Sequence, residues 1–396
     1  MKKYKLGDIL ELQRGYDLPH SEMEEGNVPV AGSSGIIGYH SISKIDPPCI
    51  TIGRSGSVGK LFFYNEAIWP HNTSLFIKSF KNNNEKYIFY LLKTVDFERL
   101  CDSSVVPSLN RNFVYPIKVP FYDNIADQQK IAAVLSSLDD KIALNNRINA
   151  KLEQMAKRLY DYWFVQFDFP NADDKPYKSN GGKMVWNEEL KREIPEGWEV
   201  TPLKECINHI NTGLNPRDNF VLGNGNIKYI TVKNLTESGM IDFSNCDLID
   251  EEARSMVHNR SDIKIGDILF ASICPLGRCY LINEEPKDWD INESVFTIRP
   301  NYKNMSSQFL YNILRDEYYV RKMTQKATGS IFKGIRVDDL GKMEIVLPSK
   351  EIIDSFTAKI TPLLNQQAKL QQESMKLSEM RDKLLPLLMN GQVEVK

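Results

Sequence analysis

The segment from Gly53 to Lys60, Gly-Arg-Ser-Gly-Ser-Val-Gly-Lys, has the residue types of a loop that binds nucleotide phosphates. That chemistry needs glycine where this chain has Arg54, and serine or threonine where it has Leu61, because the hydroxyl binds magnesium. Nucleotide hydrolysis is therefore not expected from this loop. The glycines instead predict a tight turn that presents Arg54 and Lys60, two cations suited to contacts with phosphate groups.

A second motif, Asp46-Pro47-Pro48-Cys49, resembles the Asp/Asn-Pro-Pro-Tyr/Phe signature of adenine methyltransferases. That chemistry stacks an extruded base on the aromatic fourth residue, and Cys49 has no aromatic face. No strand followed by a glycine-rich turn and a downstream acid supplies a site for a methyl donor either. The motif therefore predicts a proline turn that leads into a strand.

Histidines and cysteines offer no recognisable metal or catalytic site. The histidines are scattered, without a pair spaced by four residues: His20, His40, His71, His209 and His258. The cysteines form no disulfide framework and are expected to be reduced: Cys49, Cys101, Cys206, Cys246, Cys274 and Cys279. The last two make a C-x4-C pair, but a zinc site would need a second pair of ligands. We expect no catalytic residue and no metal in this chain, although separated residues could still converge in space.

Charge is balanced overall and uneven locally. Lys and Arg number 50 against 52 Asp and Glu, a formal net charge of −2, which gives no support for binding a polyanion. No acid lies between Arg54 and Lys60, and from Arg315 to Arg336 six cations outnumber two acids. Either segment is a candidate contact surface for an anionic partner, and the alternative is an ordinary solvated surface.

Length and composition indicate an ordinary globular protein. The 396 residues, 42% hydrophobic and 26% charged, predict two or three domains. No apolar run approaches the length of a membrane span. The basic N-terminus leads into no apolar signal core, so no membrane partner and a cytoplasmic location are expected.

The strongest structural signal is a heptad repeat, which occurs twice. One seam alternates steps of four and three residues: Ile131, Leu135, Leu138, Ile142, Asn145, Asn149, Leu152, Ala156, Leu159 and Trp163. A second seam follows the same rhythm 225 residues later: Phe356, Ile360, Leu363, Gln367, Leu370, Ser374, Leu377, Arg381, Leu384 and Leu388. The spacing predicts two long coiled-coil helices, and polar residues near the middle of each seam are typical of a fixed register.

The rest of the chain is also duplicated. Residues 69–77 match residues 289–297 at an offset of 220, with Trp, Asn and Phe in corresponding positions. Residues 87–93 match residues 309–315 at an offset of 222. Because the order of elements is the same in both halves, each half is predicted to be a globular α/β unit followed by a long helix.

Local patterns divide the chain further. Short apolar runs predict strands at Cys49–Ile52, Ser74–Ile77 and Ile268–Phe270, and helices are expected over residues 87–100 and 307–323. Polar turn residues predict a connector between the halves. The expected segments are a first globular domain at 1–126, a central helix at 127–168, the connector at 169–197, a second globular domain at 198–350 and a distal helix at 351–396. The fold class is α+β.

This arrangement resembles the DNA-specificity subunit of type I restriction-modification systems over essentially the full chain. Five stretches, in this order, are similar to that family: Pro29–Gly38, Gly53–Lys60, Pro107–Arg111, Asp127–Ala132 and Ile194–Val200. The resemblance implies a non-catalytic subunit with two target-recognition domains separated by antiparallel coiled-coil helices. Each domain would read one half of a split, asymmetric site on double-stranded DNA.

The resemblance also implies partners. Two methyltransferase subunits would use S-adenosylmethionine to methylate adenine, and motor-nuclease subunits would hydrolyse ATP with Mg, so this chain itself would carry no cofactor. The alternative is a single-chain methyltransferase or nuclease with a helical dimerisation arm. A third possibility is a coiled-coil scaffold with no role on DNA.

Candidate contact residues follow from chemistry and from the family-like motifs, since Arg and Lys can read guanine and Asn can read adenine. In the first half the DNA-binding candidates are Arg54, Ser55, Ser57, Lys60, Asn110 and Arg111. In the second half they are Lys233, Asn234, Arg278, Ser330, Lys333 and Arg336. The alternative for each is a solvated or structural residue.

The end of the central helix carries more aromatic surface than a two-helix seam needs, so we expect a methyltransferase subunit to cover part of it. The candidate partner-binding residues are Leu159, Tyr160, Tyr162, Trp163 and Phe164. The alternative is that these residues pack against the second domain of the same chain.

Overall fold

The computed structural model describes residues 1–100, 108–329 and 333–395. The chain forms two compact units, of which unit 1 comprises Met1–Leu144 and Glu373–Lys396, and unit 2 comprises Asn145–Gln372. Each unit therefore contains one globular region together with part of both long helices.

Unit 1 begins with short strands and ends in long helices. Its strands are β1 (Lys2–Lys5), β2 (Glu11–Arg14), β3 (Val28–Gly32), β4 (Gly35–His40), β5 (Cys49–Gly53), β6 (Leu61–Tyr64), β7 (Trp69–Pro70), β8 (Ser74–Ser79) and β9 (Lys118–Phe121). The helices that start in it are α1 (Leu6–Ile9), α2 (Glu85–Leu92), α3 (Arg111–Val114) and α4 (Ile125–Tyr160).

The described residues of unit 1 form three sheets. A four-stranded sheet has the order β2-β8-β5-β6, a three-stranded sheet has the order β4-β3-β7, and β1 pairs with β9. Every residue of β5 is buried, which explains its uninterrupted run of small and β-branched residues. The core continues through α2 into the first turns of α4, where Ile131 and Leu135 are buried.

Unit 2 contains the connector, which has two strands of its own, and then repeats the strand order of unit 1. Its strands are β10 (Met184–Asn187), β11 (Arg192–Pro195), β12 (Glu199–Pro202), β13 (Ile207–Thr212), β14 (Ile227–Ile230), β15 (Asp247–Ile249), β16 (Ile268–Ala271), β17 (Cys279–Leu281), β18 (Trp289–Ile291), β19 (Val295–Pro300) and β20 (Glu344–Leu347). The remaining helices are α5 (Glu251–Ser261), α6 (Ser307–Arg315), α7 (Glu317–Lys326), α8 (Val337–Gly341) and α9 (Lys350–Met389).

The sheet topology of unit 2 is that of unit 1. Its four-stranded sheet has the order β13-β19-β16-β17, its three-stranded sheet has the order β15-β14-β18, and β12 pairs with β20. Strand for strand, these correspond to the three sheets of unit 1. The predicted duplication and the α+β fold class are confirmed, because two stretches of weakly similar sequence form the same sheets in the same order.

The heptad seams correspond to real helices. α4 has 36 residues and α9 has 40. Every seam position is buried or partly buried, which confirms the predicted buried stripes. Within unit 1 the two helices are antiparallel neighbours, since Asp139 accepts a 2.7 Å hydrogen bond from Arg381 and Lys141 lies 3.5 Å from Glu373. Within unit 2, Gln367 donates to the backbone oxygen of Asn149 at 3.3 Å.

Two predicted helices are shorter than expected. The helix expected over 87–100 ends at Leu92, and a separate 3-10 turn follows at Glu98–Leu100. The helix expected over 307–323 is broken at Asp316, whose backbone is extended and whose side chain caps α7 by accepting from the amides of Tyr318 and Tyr319. The break has a local cause, because a carboxylate that caps a new helix competes with continuation of the old one.

The connector is more ordered than its turn-rich sequence suggests. β10 and β11 pair as an antiparallel hairpin within it, and Phe169 stacks on Tyr177 with ring centroids 4.6 Å apart. Across the described ranges, no helix has the length and apolar composition needed to cross a membrane.

Candidate nucleic-acid interface

The loop from Gly53 to Lys60 is a closed turn between two antiparallel strands. β5 and β6 pair on either side of it, the Gly53 amide donates to the Lys60 carbonyl at 2.8 Å, and Gly59 donates back to Gly53 at 2.9 Å. A Cβ at Gly53 would lie 1.9 Å from the Ser57 carbonyl oxygen, so only glycine fits. A phosphate loop leads from a strand into a helix, whereas this loop leads into β6, in agreement with the sequence prediction.

A second segment joins this turn from far along the chain. Ser55 forms a bridge with Ser108, and the Leu109 amide donates to the Arg54 carbonyl at 2.8 Å. These contacts place Asn110 and Arg111, at the start of α3, beside Arg54. Three of the six candidates in the first half therefore line one cleft of about 960 Å³.

The cleft also contains two cations that sequence reasoning missed, Arg14 and Lys78. Arg14 ends β2 and Lys78 lies in β8, the neighbouring strand of the four-stranded sheet. Four cations thus share the cleft with the acids Glu11 and Asp17. Little in the sequence favoured Arg14 or Lys78, because neither lies in a loop or beside a family-like motif. Each is a charged residue within a segment that otherwise resembles a strand.

Two of these four cations form an ion pair within the cleft. Arg14 lies 3.6 Å from Asp17, and Lys78 lies 3.1 Å from Glu11. These pairs are more than 40% exposed on both sides, so they are weak and water or a polyanion can replace them. Excess positive charge in an open cleft is the electrostatic property that binding to a phosphate backbone requires.

The other candidates of the first half lie outside the lining of this cleft. Lys60 is exposed, whereas Ser55 and Ser57 are partly buried in the turn. Asn110, which lines the cleft, is exposed, and its side-chain oxygen caps α3 by accepting a 3.0 Å hydrogen bond from the Asn112 amide. The structure thus groups Arg54, Asn110 and Arg111, and leaves Lys60 at the end of the loop.

Unit 2 has the same backbone arrangement at the corresponding place. The Ile335 amide donates to the Ser272 carbonyl at 2.8 Å, as Leu109 does to Arg54, and Ile273 bridges Gly334, as Ser55 bridges Ser108. These contacts bring two exposed candidates, Lys333 and Arg336, next to the loop between β16 and β17. The architecture is shared, but the side chains that it presents differ.

Asn234 is a correction to the sequence prediction. It is 3% exposed, its side-chain oxygen accepts from the Thr231 amide at 2.8 Å, and its amide nitrogen donates to the Asp242 carbonyl at 3.1 Å. Because these bonds occupy a buried amide, the side chain holds a turn together and does not reach a DNA base.

The remaining candidates of the second half differ in availability. Lys233 is exposed beside the Asn234 turn. Arg278 is 26% exposed at its side chain and pairs with Glu237 at 3.2 Å. Ser330 lies outside the described residues.

The aromatic residues at the end of α4 are a second correction. Tyr160, Trp163 and Phe164 are 5%, 3% and 6% exposed, and they belong to the core of unit 2. The Phe164 ring lies 4.6 Å from that of Phe309 and 4.8 Å from that of Phe356. These three residues are therefore occupied by their own unit and are not a free surface for a partner.

The other two candidates for partner binding at the end of α4 have different surroundings. Leu159 is partly buried against the same core, and Tyr162 is 39% exposed. A π-helical turn at Asp161–Val165 ends the helix, and its wider pitch changes the phase at which side chains face the core. A partner contact at Tyr162 stays a prediction.

Cysteines in the described ranges are unpaired. Cys49, Cys206 and Cys279 are buried, Cys246 is intermediate, and Cys274 is exposed. Cys101 lies outside the described residues. Among described residues, no three His, Cys, Asp or Glu side chains are grouped so that they could hold a metal ion.

Comparison with known families agrees with this geometry. The model of the type I restriction modification DNA specificity domain matches residues 1–154 and 195–374, one match in each half of the chain. The chain belongs to the type I restriction-modification DNA-specificity family. The two matches include the two loops described above, so the DNA-specificity domains contain the cleft of unit 1 and the corresponding loop of unit 2.

Specificity subunits of type I restriction enzymes are among its relatives. The MjaIX specificity subunit of Methanocaldococcus jannaschii is 28% identical over 322 residues, covering 78% of this chain and 69% of the relative. The HindI specificity subunit of Haemophilus influenzae is 26% identical over 323 residues, covering 68% of each. The chain is thus a specificity subunit, whose family function is recognition of a DNA sequence.

A solved structure shows the same fold. The S subunit of a type I restriction-modification system from M. genitalium aligns over 98% of this chain and 96% of its own, with a TM-score of 0.60 and 16% sequence identity. Two sheet-containing regions and two long helices are therefore an architecture that this specificity subunit shares with an experimentally determined structure.

Proposed function

We propose that this specificity subunit reads a bipartite, asymmetric site on double-stranded DNA, with one half-site bound by each globular region. One observation carries the proposal. The two units hold the same pair of segments together with the same hydrogen bonds, yet they present different residues at equivalent positions. Arg54 in unit 1 corresponds to Ser272 in unit 2, and Asn110 corresponds to Arg336.

Different side chains on one scaffold favour different bases. Base edges in the major groove are distinguished by donors and acceptors, so two units favour different bases when only one of them presents a guanidinium at an equivalent position. A polyanion held in the cationic cleft of unit 1 contributes affinity but no sequence information, whereas unlike side chains at equivalent positions supply discrimination. The half-sites are therefore unlike each other, and the complete site is not a palindrome.

The chemistry on DNA belongs to partner subunits. The specificity subunit directs adenine methylation by two methyltransferase subunits, which use S-adenosylmethionine, and DNA cleavage by motor-nuclease subunits, which use ATP and Mg. The family supports this division, because the relatives are named as specificity subunits of type I restriction enzymes. The chain itself holds no cofactor and carries out no catalytic step, and its action on DNA takes place in the cytoplasm.

Domain exchange tests the proposal. Residues 1–126 are replaced by the corresponding region of a relative with a different target site, and the chimaera is expressed with its methyltransferase subunits. Mapping of methylated adenines should show one half-site changed and the other retained. The matched control replaces residues 198–350 instead, and it should change the opposite half-site.

The outcomes separate the proposal from its alternatives. A change in both half-sites on either exchange would contradict separate readers. Methyl transfer by the specificity subunit without a methyltransferase partner would show that the chain is itself the enzyme. Absence of any effect of either exchange on the methylated sequence would remove the role in sequence recognition.

A further inference from the structure

One cation in the cleft of unit 1 has neither an ion pair nor a hydrogen bond with any residue that the structure describes. Arg14 and Lys78 pair with acids, and Arg111 donates to the Leu12 carbonyl at 3.1 Å. For the Arg54 guanidinium, by contrast, the described part of the chain provides neither an ion pair nor a hydrogen bond. Within the described ranges, none of its five N–H donors is bonded to the protein, and the side chain lines an open cleft.

The backbone of Arg54 is held from both sides. Its amide donates to the Thr73 carbonyl at 2.8 Å, and its carbonyl accepts from the Leu109 amide at 2.8 Å. Gly53, immediately before it, is the last residue of β5. A side chain that starts from a fixed backbone loses less freedom on binding, and direct readout of a base needs such precision.

Arg54 is also less exposed than the cations around it. Arg54 is partly buried, whereas the side chains of Arg14 and Lys78 are 55% and 54% exposed. Exposed, paired cations suit mobile contacts with the phosphate backbone, which surrounds the grooves of the duplex. A guanidinium that is partly buried and starts from a fixed backbone suits a contact that needs one defined direction, as a contact with a base edge does.

Unit 2 has no equivalent of this side chain. Ser272 takes its place, is 6% exposed, and donates its hydroxyl hydrogen to the Ser294 carbonyl at 2.8 Å. A buried hydroxyl that is already bonded reads no base. Whatever Arg54 recognises is therefore specific to the half-site bound by unit 1.

We propose, as an extension that rests on the proposed function, that Arg54 reads a guanine in the half-site bound by unit 1. Two parallel N–H groups of its guanidinium would donate to O6 and N7 of that guanine in the major groove. Guanine is the base whose major-groove edge offers two adjacent acceptors, and the planar fork of arginine matches them.

The test uses the full chain with its methyltransferase partner. Initial methylation rates are measured on duplexes in which each position of the two half-sites is varied in turn. The wild-type protein should prefer guanine at one position of the half-site that exchange of residues 1–126 alters. Arg54→Ala should reduce that preference by roughly 5- to 150-fold, as expected for loss of a bidentate contact.

A second variant, Arg54→Met, keeps most of the side-chain volume without any donor, so it repeats the test if the alanine variant folds poorly. The matched control is Arg99→Ala, which removes an 87% exposed arginine of unit 1 that does not line the cleft. The control should retain the guanine preference. Loss of the preference in the control would show that the effect does not belong to Arg54.

The remaining outcomes contradict either the assignment of Arg54 or the proposed function. A wild-type half-site without guanine, or an unchanged guanine preference in both Arg54 variants, would overturn the assignment while leaving the bipartite function intact. Rates that fall equally at all sequences would identify Arg54 as a phosphate contact and overturn it too. A wild-type complex that methylates no bipartite site would instead contradict the proposed function on which the assignment rests.

Discussion

The length of the helix pair should set the gap between the two half-sites. To lengthen both helices in register, insertions must face each other across the pair. The hydrogen bond from Gln367 to the backbone of Asn149 identifies those positions in the antiparallel arrangement. One heptad therefore goes between Asn149 and Ala150, and another between Gln366 and Gln367. The sequence offset alone would place the second insertion at Ser374, seven residues away from this contact.

The inserted heptads can be taken from the helices themselves. A copy of residues 150–156 repeats Leu152 and Ala156 in α4, and a copy of residues 367–373 repeats Gln367 and Leu370 in α9. Neither copy contains proline or glycine, so the helical propensity of the inserted segments is maintained. Seven residues lengthen each helix by about 10 Å at about 1.5 Å per residue.

This extension corresponds to about three base pairs of duplex at about 3.4 Å each. Three base pairs also turn one half-site by roughly 100° around the DNA axis, since one helical turn takes about 10.5 base pairs. DNA bending can absorb part of that mismatch at an energetic cost. The expected result is therefore a methylated site with unchanged half-sites and a longer gap, measured by mapping of methylated adenines.

Two control variants isolate the effect of helix length. An insertion in α4 alone offsets the seam positions on one helix only, so it should reduce folding or activity without giving a longer gap. Seven residues inserted between Asp173 and Asp174, in an exposed turn of the connector, add the same chain length without extending a helix, so the gap should not change. An active double-insertion variant that keeps the original gap would refute the argument.

Three further predictions concern the packing of single residues. Trp163→Ala should lower the free energy of unfolding by about 3–5 kcal/mol, measured by denaturant titration, because it empties a core position. The control Trp186→Ala changes a tryptophan that is 57% exposed, so it should cost less than about 0.5 kcal/mol. A Trp163→Ala variant that keeps its stability but no longer binds the methyltransferase would show that Trp163 contacts the partner after all. Asp316→Ala should cost about 0.5–2 kcal/mol because it removes the cap of α7, and Asp316→Asn should recover most of that loss in thermal unfolding. In the native protein the exposed Cys274 should react with a thiol reagent. Burial raises the pKa of Cys49 and Cys206 to about 11 and that of Cys279 to about 12, so these three thiols should stay unmodified until the protein unfolds. Labelling followed by mass spectrometry would expose an error if a buried thiol reacted first.

The sequence alone predicted the features that depend on local periodicity. Heptad spacing located both long helices, because a buried stripe on a helix requires apolar residues every three or four positions. The repeated segments identified two similar units, because homologous stretches in the same order form the same sheets. The turn at Gly53–Lys60 was also recognisable, since its geometry depends on residues close together in the chain.

The sequence could not reveal which side chains are already occupied. Asn234 and Trp163 have residue types suited to recognition, and each is buried by segments distant in sequence. Ring contacts from Phe309 and Phe356 enclose the aromatic residues at the end of α4. Burial is a property of the surrounding three-dimensional structure, so residue type and local pattern give only its average tendency.

For the candidate interface, too, some features follow from the sequence and others only from the tertiary structure. Sequence alone determined that the loop presents Arg54 and that Asn110 and Arg111 belong to a second family-like stretch. Only the tertiary structure placed those segments side by side and added Arg14 and Lys78, because neighbouring strands in a sheet bring together residues more than 60 positions apart. It also showed that, among the residues described, Arg54 lacks the kind of partner that Arg14 and Arg111 have in Asp17 and the Leu12 carbonyl, because folding fixes those partners. Helix periodicity is encoded locally, whereas a binding cleft is formed by long-range contacts between segments.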